Sequence, residues 1–155
     1  MGGAEVLSSE QQDLLTAILN RIIPAEGDLL GAGDLGLVDF VEKSVSSRSE
    51  SRRLFLDGIT EVEVAAWHQG ASTFRALEID RQDEVLRQVE ASRPEFFNLL
   101  VERTYQGYYV DPRVLTALGH DPRPPQPRGH ELPAFDASVL DRVRARGPIF
   151  RLVPR

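Results

Sequence analysis

Apolar residues return along this chain at helical spacing, and polar breaks divide them into five or six segments. Leu14, Leu15, Ile18, Leu19, Ile22 and Ile23 recur in steps of one and three and so line one broad helical face. Ser9, with Gln12 three residues on, reads as the capping box that opens this helix, and Pro24 stops it. A loop rich in Glu26, Gly27, Asp28, Gly31 and Gly33 follows. A second helix is expected from about Asp34 or Leu35, with Leu37, Val38, Val41 and Val45 on one side. After a polar turn at 44–51, a third runs from about Glu50 to His68. It turns Leu54, Ile59, Val62 and Ala66 inward, and Gly70 caps its end. A fourth starts near Asp80 as N-cap and buries Val85, Leu86 and Val89.

The fifth segment has the fullest start signal: Ser92 as cap, Pro94 in the first turn, and Glu95 completing the box. Phe96, Phe97, Leu100, Val101, Thr104 and Tyr108 follow at helical spacing. Asp111-Pro112 then caps a short last helix, roughly Pro112 to Leu118. Beyond Gly119 the texture changes. Five of the residues from Pro122 to Pro133 are proline, which favours an extended path. A short amphipathic piece, Ser138 to Arg146, precedes Gly147-Pro148 and the tail Ile149–Arg155. No segment alternates with period two, so strands are not expected. The expected fold is all-α: a single compact domain of five or six helices over 8–119, with an extended Pro-rich C-terminal arm at 120–155.

Composition narrows the classes. The chain has 155 residues, the length of one domain. No apolar run approaches the roughly 18 residues that cross a bilayer, so no membrane insertion is expected. There are no cysteines, which excludes disulfides, thiolate metal sites and a cysteine nucleophile. A net charge of −6 argues against nucleic acid as a partner. That charge is uneven. Residues 1–47 hold eight acids and two bases, −6, whereas 119–155 hold four acids and seven arginines, +3. Such ends are suited to different surfaces, or to each other. The N-terminus has no basic and apolar leader, so a cytoplasmic location is expected, or export if a leader has been removed. Ser51-Arg52-Arg53-Leu54-Phe55-Leu56 spells a twin-arginine export motif, but it lies mid-chain and Asp57, Glu61 and Glu63 follow it. It reads as a helix with arginines on its wet face.

Candidate chemistry is sparse. His68, His120 and His130 are scattered, and no HExxH occurs. The acidic loop from Glu26 to Asp34 does not space its ligands as a calcium loop does and reads as a solvated loop. No GxSxG elbow or phosphate-cradling glycine loop is present. His120-Asp121 is the most chemical-looking dyad, yet it follows a helix-ending glycine where turn hydrogen bonds are expected. All three tyrosines fall in "TYQGYYVDP" at 104–112. On a helix Tyr105 and Tyr109 share a face, Tyr108 lies with Thr104 and Leu100, and Gly107 permits close approach of another element. Tyrosine suits a core edge and a partner surface alike.

One resemblance covers residues 8–119. Arg21-Ile22-Ile23-Pro24, Gly31-Ala32-Gly33-Asp34 with Gly36, Phe74…Leu77…Gln82…Val85-Leu86, Phe96-Phe97 with Leu100, and Thr104…Gly107-Tyr108-Tyr109…Asp111-Pro112 resemble, in order, the gluconate 2-dehydrogenase subunit 3 family. The resemblance implies a non-catalytic accessory subunit without a cofactor of its own. Its partner would be a large FAD-dependent dehydrogenase of the glucose-methanol-choline type, acting on a sugar, polyol or alcohol, often with a cytochrome as electron-transfer subunit. On that reading Tyr105, Tyr109 and Pro112 face the partner, and Pro124, Pro125, Phe150 and Arg151 belong to an arm that wraps it. Two alternatives stay open: a stand-alone ligand-binding or enzymatic domain with a pocket near Tyr105 and His120, and a homodimer formed through the tyrosine face.

Overall fold

A computed structural model describes residues 7–122 and 136–147. The described residues form seven α-helices and no strand: α1 Ser9–Ile22, α2 Val38–Ser46, α3 Ser49–His68, α4 Ile79–Ser92, α5 Pro94–Tyr108, α6 Pro112–Ala117 and α7 Asp141–Ala145. Two 3-10 turns, Phe74–Ala76 and Ala137–Leu140, complete them. By its internal contacts the chain divides into residues 1–122 and 123–155. In the second unit Asp136 accepts the Ser138 N–H and starts the 3-10 turn that runs into α7, with no residue buried.

α1 starts one residue earlier than the spacing predicts. Ser8, not Ser9, is the cap: its Oγ accepts the Gln11 N–H at 3.2 Å, and the Gln11 side chain accepts the Ser8 N–H at 3.1 Å. The shift lets Leu7 fold back into the core, where its N–H donates to the buried Glu42 carboxylate at 3.0 Å. α2 starts at Val38 rather than Asp34 or Leu35, because 31–37 form a turn closed by their own hydrogen bonds, Leu35 to Gly31 and Leu37 to Ala32. α4 is capped at Glu78, two residues before Asp80.

The start of α5 also differs. α4 continues through Ser92, whose hydroxyl turns back to the Val89 carbonyl, so Ser92 and Glu95 form no box. Pro94 excludes helical geometry from the residue before it, and Arg93 alone breaks the two helices. α6 matches its expected cap: Asp111 accepts the Arg113 N–H.

α3 is the central helix and packs against α2, α4 and α5. Ile59, Val62, Ala65 and Ala66 face inward, with Phe55 fully buried and Leu54 only partly. Phe55 meets Phe96 of α5 edge-to-face, ring centroids 5.8 Å apart. Phe74, Leu15, Ile18, Leu19 and Leu100 fill the rest of the core. Arg21 ties α1 to α4 through two bonds to the Asp83 carboxylate, at 2.8 and 2.9 Å, and these hold that carboxyl below its ordinary range.

The 24–37 loop is not the solvated acidic loop its composition suggests. Glu26, Asp28 and Asp34 point outward, but Gly31, Ala32, Gly33 and Leu35 are buried. Asn20 of α1 grips the segment. Its Oδ1 accepts the N–H groups of Gly33 (2.8 Å) and Asp34 (3.1 Å), and its amide donates to Asp34. A Cβ on Gly33 would overlap the Thr16 carbonyl oxygen, a backbone atom that cannot step aside. Gly33→Ala is expected to lower the free energy of unfolding by about 2–3 kcal/mol, the upper range for overpacking, as measured by urea denaturation. A loss below about 0.5 kcal/mol would show that the loop is not seated on α1.

Candidate functional site

The tyrosine run occupies the last turn of α5 and resolves residue by residue. Leu100, Thr104 and Tyr108 form the buried stripe, and the Thr104 hydroxyl donates to the Leu100 carbonyl. Tyr108 is 2% exposed, and its hydroxyl donates to the Leu30 carbonyl at 2.9 Å. Burial raises its pKa above the ordinary tyrosine value. Gly107 is buried against the Phe40 ring of α2, which a Cβ there would meet at 2.7 Å.

Tyr105 and Tyr109 lie outside, 44% and 50% exposed. Their rings stack with centroids 5.8 Å apart, and Tyr109 also meets the edge of Tyr108 at 5.4 Å. Val110, next in the chain, is exposed, as is the side chain of Leu30. Pro112 is exposed at the first position of α6. Asp111 beside it is bonded by Arg113 through side chain and backbone, which lowers its pKa, and Arg113 reaches on to the Leu35 carbonyl at 2.7 Å. The structure thus brings Tyr105 and Tyr109 into one stack, with Pro112 three residues further along the chain. Pro124, Pro125, Phe150 and Arg151 lie outside the described residues.

The other candidates fall elsewhere. His120 is exposed, and its backbone N–H closes the end of α6 on the Leu115 carbonyl. His68 ends α3 with its ring 5.8 Å from that of Trp67, and His130 is outside the described residues. Among the described residues no three His, Asp or Glu side chains converge as metal ligands, and no helix is long and apolar enough to cross a membrane. The twin-arginine letters lie within α3, with Arg52 and Arg53 exposed and Phe55 in the core.

One feature escaped the sequence reading. A groove of about 820 Å³ runs between the start of α1, the end of α3 and residues 72–76. Glu10, Asp13, Leu14, Val64, Trp67 and Phe74 are among its lining; neither Tyr105 nor His120 is. Trp67 was its available signal. A tryptophan placed between Glu63 and His68, off the apolar stripe of its helix, is not there for the core.

The fold is therefore an all-α domain whose last long helix ends in an exposed aromatic stack. The chain belongs to the gluconate 2-dehydrogenase subunit 3 family, which it matches over residues 9–121. No curated protein and no solved structure is significantly similar to it.

Tyr108→Phe keeps the ring but strands the Leu30 carbonyl, and is expected to cost about 1 kcal/mol of stability at neutral pH. Because the folded-state pKa of Tyr108 is raised, its contribution is complete below the ordinary value of 10.0 and is lost as pH climbs beyond it. Unfolding curves of both proteins should therefore converge in strongly alkaline buffer. A gap that stays constant or widens there would contradict the assignment.

Proposed function

We propose that this chain is the non-catalytic small subunit of a dehydrogenase complex, binding and stabilising a large FAD-dependent subunit that oxidises a sugar, polyol or alcohol. Membership of the subunit 3 family over residues 9–121 is the observation that carries this reading. The flavin and the chemistry belong to the partner, and a cytochrome or another electron carrier completes the complex.

The contact surface on this chain is centred on Tyr105 and Tyr109, with Pro112 at its margin. Support comes from what the fold leaves over. α5 needs Phe96, Leu100, Thr104 and Tyr108 for packing, whereas the outer tyrosines meet each other, and Tyr109 the edge of Tyr108, at the surface. Exposed aromatic side chains with a polar tip are the type most often found at the energetic centre of interfaces.

Co-expression of the tagged chain with a large flavoprotein of the glucose-methanol-choline type from the same organism tests this. The expected result is a co-eluting complex with flavin absorbance. Tyr105→Ala combined with Tyr109→Ala should weaken it by about tenfold or more, with the melting temperature of the isolated chain nearly unchanged. Elution of the two proteins apart would overturn the reading. An intact complex from the double variant would move the interface elsewhere.

A further inference from the structure

Trp67 is the single tryptophan of the chain, and the core of α3 does not use it. It is 71% exposed while its helix neighbours Val62, Ala65 and Ala66 are buried. It stands in the 820 Å³ groove with Val64, itself 40% exposed, and Leu14 and Phe74 add apolar lining. The charged side chains of the groove are three acids and one base: Glu10, Asp13 and Glu63 against Arg75. Arg75 already pairs with Asp13 at 3.0 Å. Among the described residues Glu10 and Glu63 make no ion pair. The groove thus keeps two uncompensated carboxylates around an exposed indole.

We propose that this groove binds an arginine-bearing, extended segment of a partner protein, with the guanidinium on the Trp67 indole and paired to Glu63 and Glu10. A planar guanidinium is the one side-chain cation that can both stack on an aromatic face and offer forked donors to carboxylates. Apolar neighbours in the segment would lie along Val64 and Leu14. A net −2 in the lining repels an acidic segment, so the choice of occupant follows from charge as well as shape. At about 820 Å³, with lining from three segments of the chain, the groove has room for a run of residues and not only for a single small cation. No residue of α5 or α6 lines it, so the proposal stands apart from the tyrosine surface.

The lone tryptophan makes the test direct, because all indole fluorescence of the full chain reports on this groove. The titrant is a synthetic hexapeptide of alternating leucine and arginine, compared with its leucine–glutamate counterpart and with free arginine amide. The expected result is saturable quenching or a blue shift with the arginine peptide alone, weakened by added salt. Glu63→Gln with Glu10→Gln should raise its Kd by roughly tenfold, the combined worth of two surface ion pairs. These are exposed positions, and circular dichroism checks that the fold is retained; if it is not, the salt dependence of the unmodified chain decides.

No spectral change at millimolar arginine peptide would overturn the proposal. Equal response to the glutamate peptide would overturn it as a charge-selected site. Arginine amide binding as tightly as the peptide would replace the segment by a small cation. A blue shift that grows with protein concentration alone, without peptide, would reassign the groove to a second copy of this chain.

Discussion

The hydroxyl of Tyr108 on the Leu30 carbonyl fixes the arrangement on which the rest depends. It joins the end of α5 to a loop 78 residues earlier in the chain. That loop is held from its other side by Asn20 of α1 and again, at Leu35, by Arg113 of α6. Three helices and the loop therefore share one rigid junction. With Leu100, Thr104 and Tyr108 turned inward, the helical repeat sets Tyr105 and Tyr109 on the adjoining flank, where they reach solvent beside Tyr108. The exposed aromatic stack is a geometric consequence of the buried tyrosine between its members.

The residues that carry the family pattern are, almost throughout, parts of this framework. Arg21 holds Asp83, and Gly33 admits the loop to α1. Gln82 donates to the Leu77 carbonyl and orders the entry to α4. Phe74, Phe96 and Leu100 fill the core, Gly107 accepts Phe40, and Asp111 caps α6. Such a pattern specifies how the chain folds. Tyr109 and Pro112 are the members of it that reach solvent without a framework task of their own, while Tyr105 and Trp67 lie outside the pattern. Features that distinguish one partner from another are therefore to be sought off the pattern.

What could be read from the chain beforehand follows from how local each signal is. The apolar stripes of α1, α3, α4 and α5 were legible because a helix writes its buried face at a fixed period. The helix starts were less so. Ser8 and Ser9 carry the same cap chemistry, and only the burial of Leu7 decides between them. At Ser92 the cap residues were present, but Pro94 acted on Arg93 and moved the break by one. The burial of Gly31-Ala32-Gly33 was illegible, since it depends on Asn20 from another element. The tyrosines could be assigned to faces, Tyr108 with the stripe of Leu100 and Thr104, but its bond to the Leu30 carbonyl, from a loop far back in the chain, was illegible. The groove joins residues from three separate segments, and sequence spacing does not report such a meeting.

The two exposed surfaces differ in the physics they can use. Tyr105 and Tyr109 are stacked on each other at the end of a helix that is tied down on its buried side. Little rotamer freedom remains to be lost when a partner covers them, so their contact area converts to affinity efficiently and with weak dependence on salt. The Trp67 groove combines an exposed indole with exposed carboxylates, and its attraction for a cationic segment falls as ionic strength rises. Partner binding at the tyrosine stack and at the groove can therefore be told apart by salt alone. On the two proposals, a complex held at the tyrosine stack keeps its affinity in high salt, and one held at Glu10, Glu63 and Trp67 loses it. On the proposed reading of a non-catalytic subunit, holding such side chains in place is what the framework of Arg21, Asn20, Gly33 and Tyr108 accomplishes.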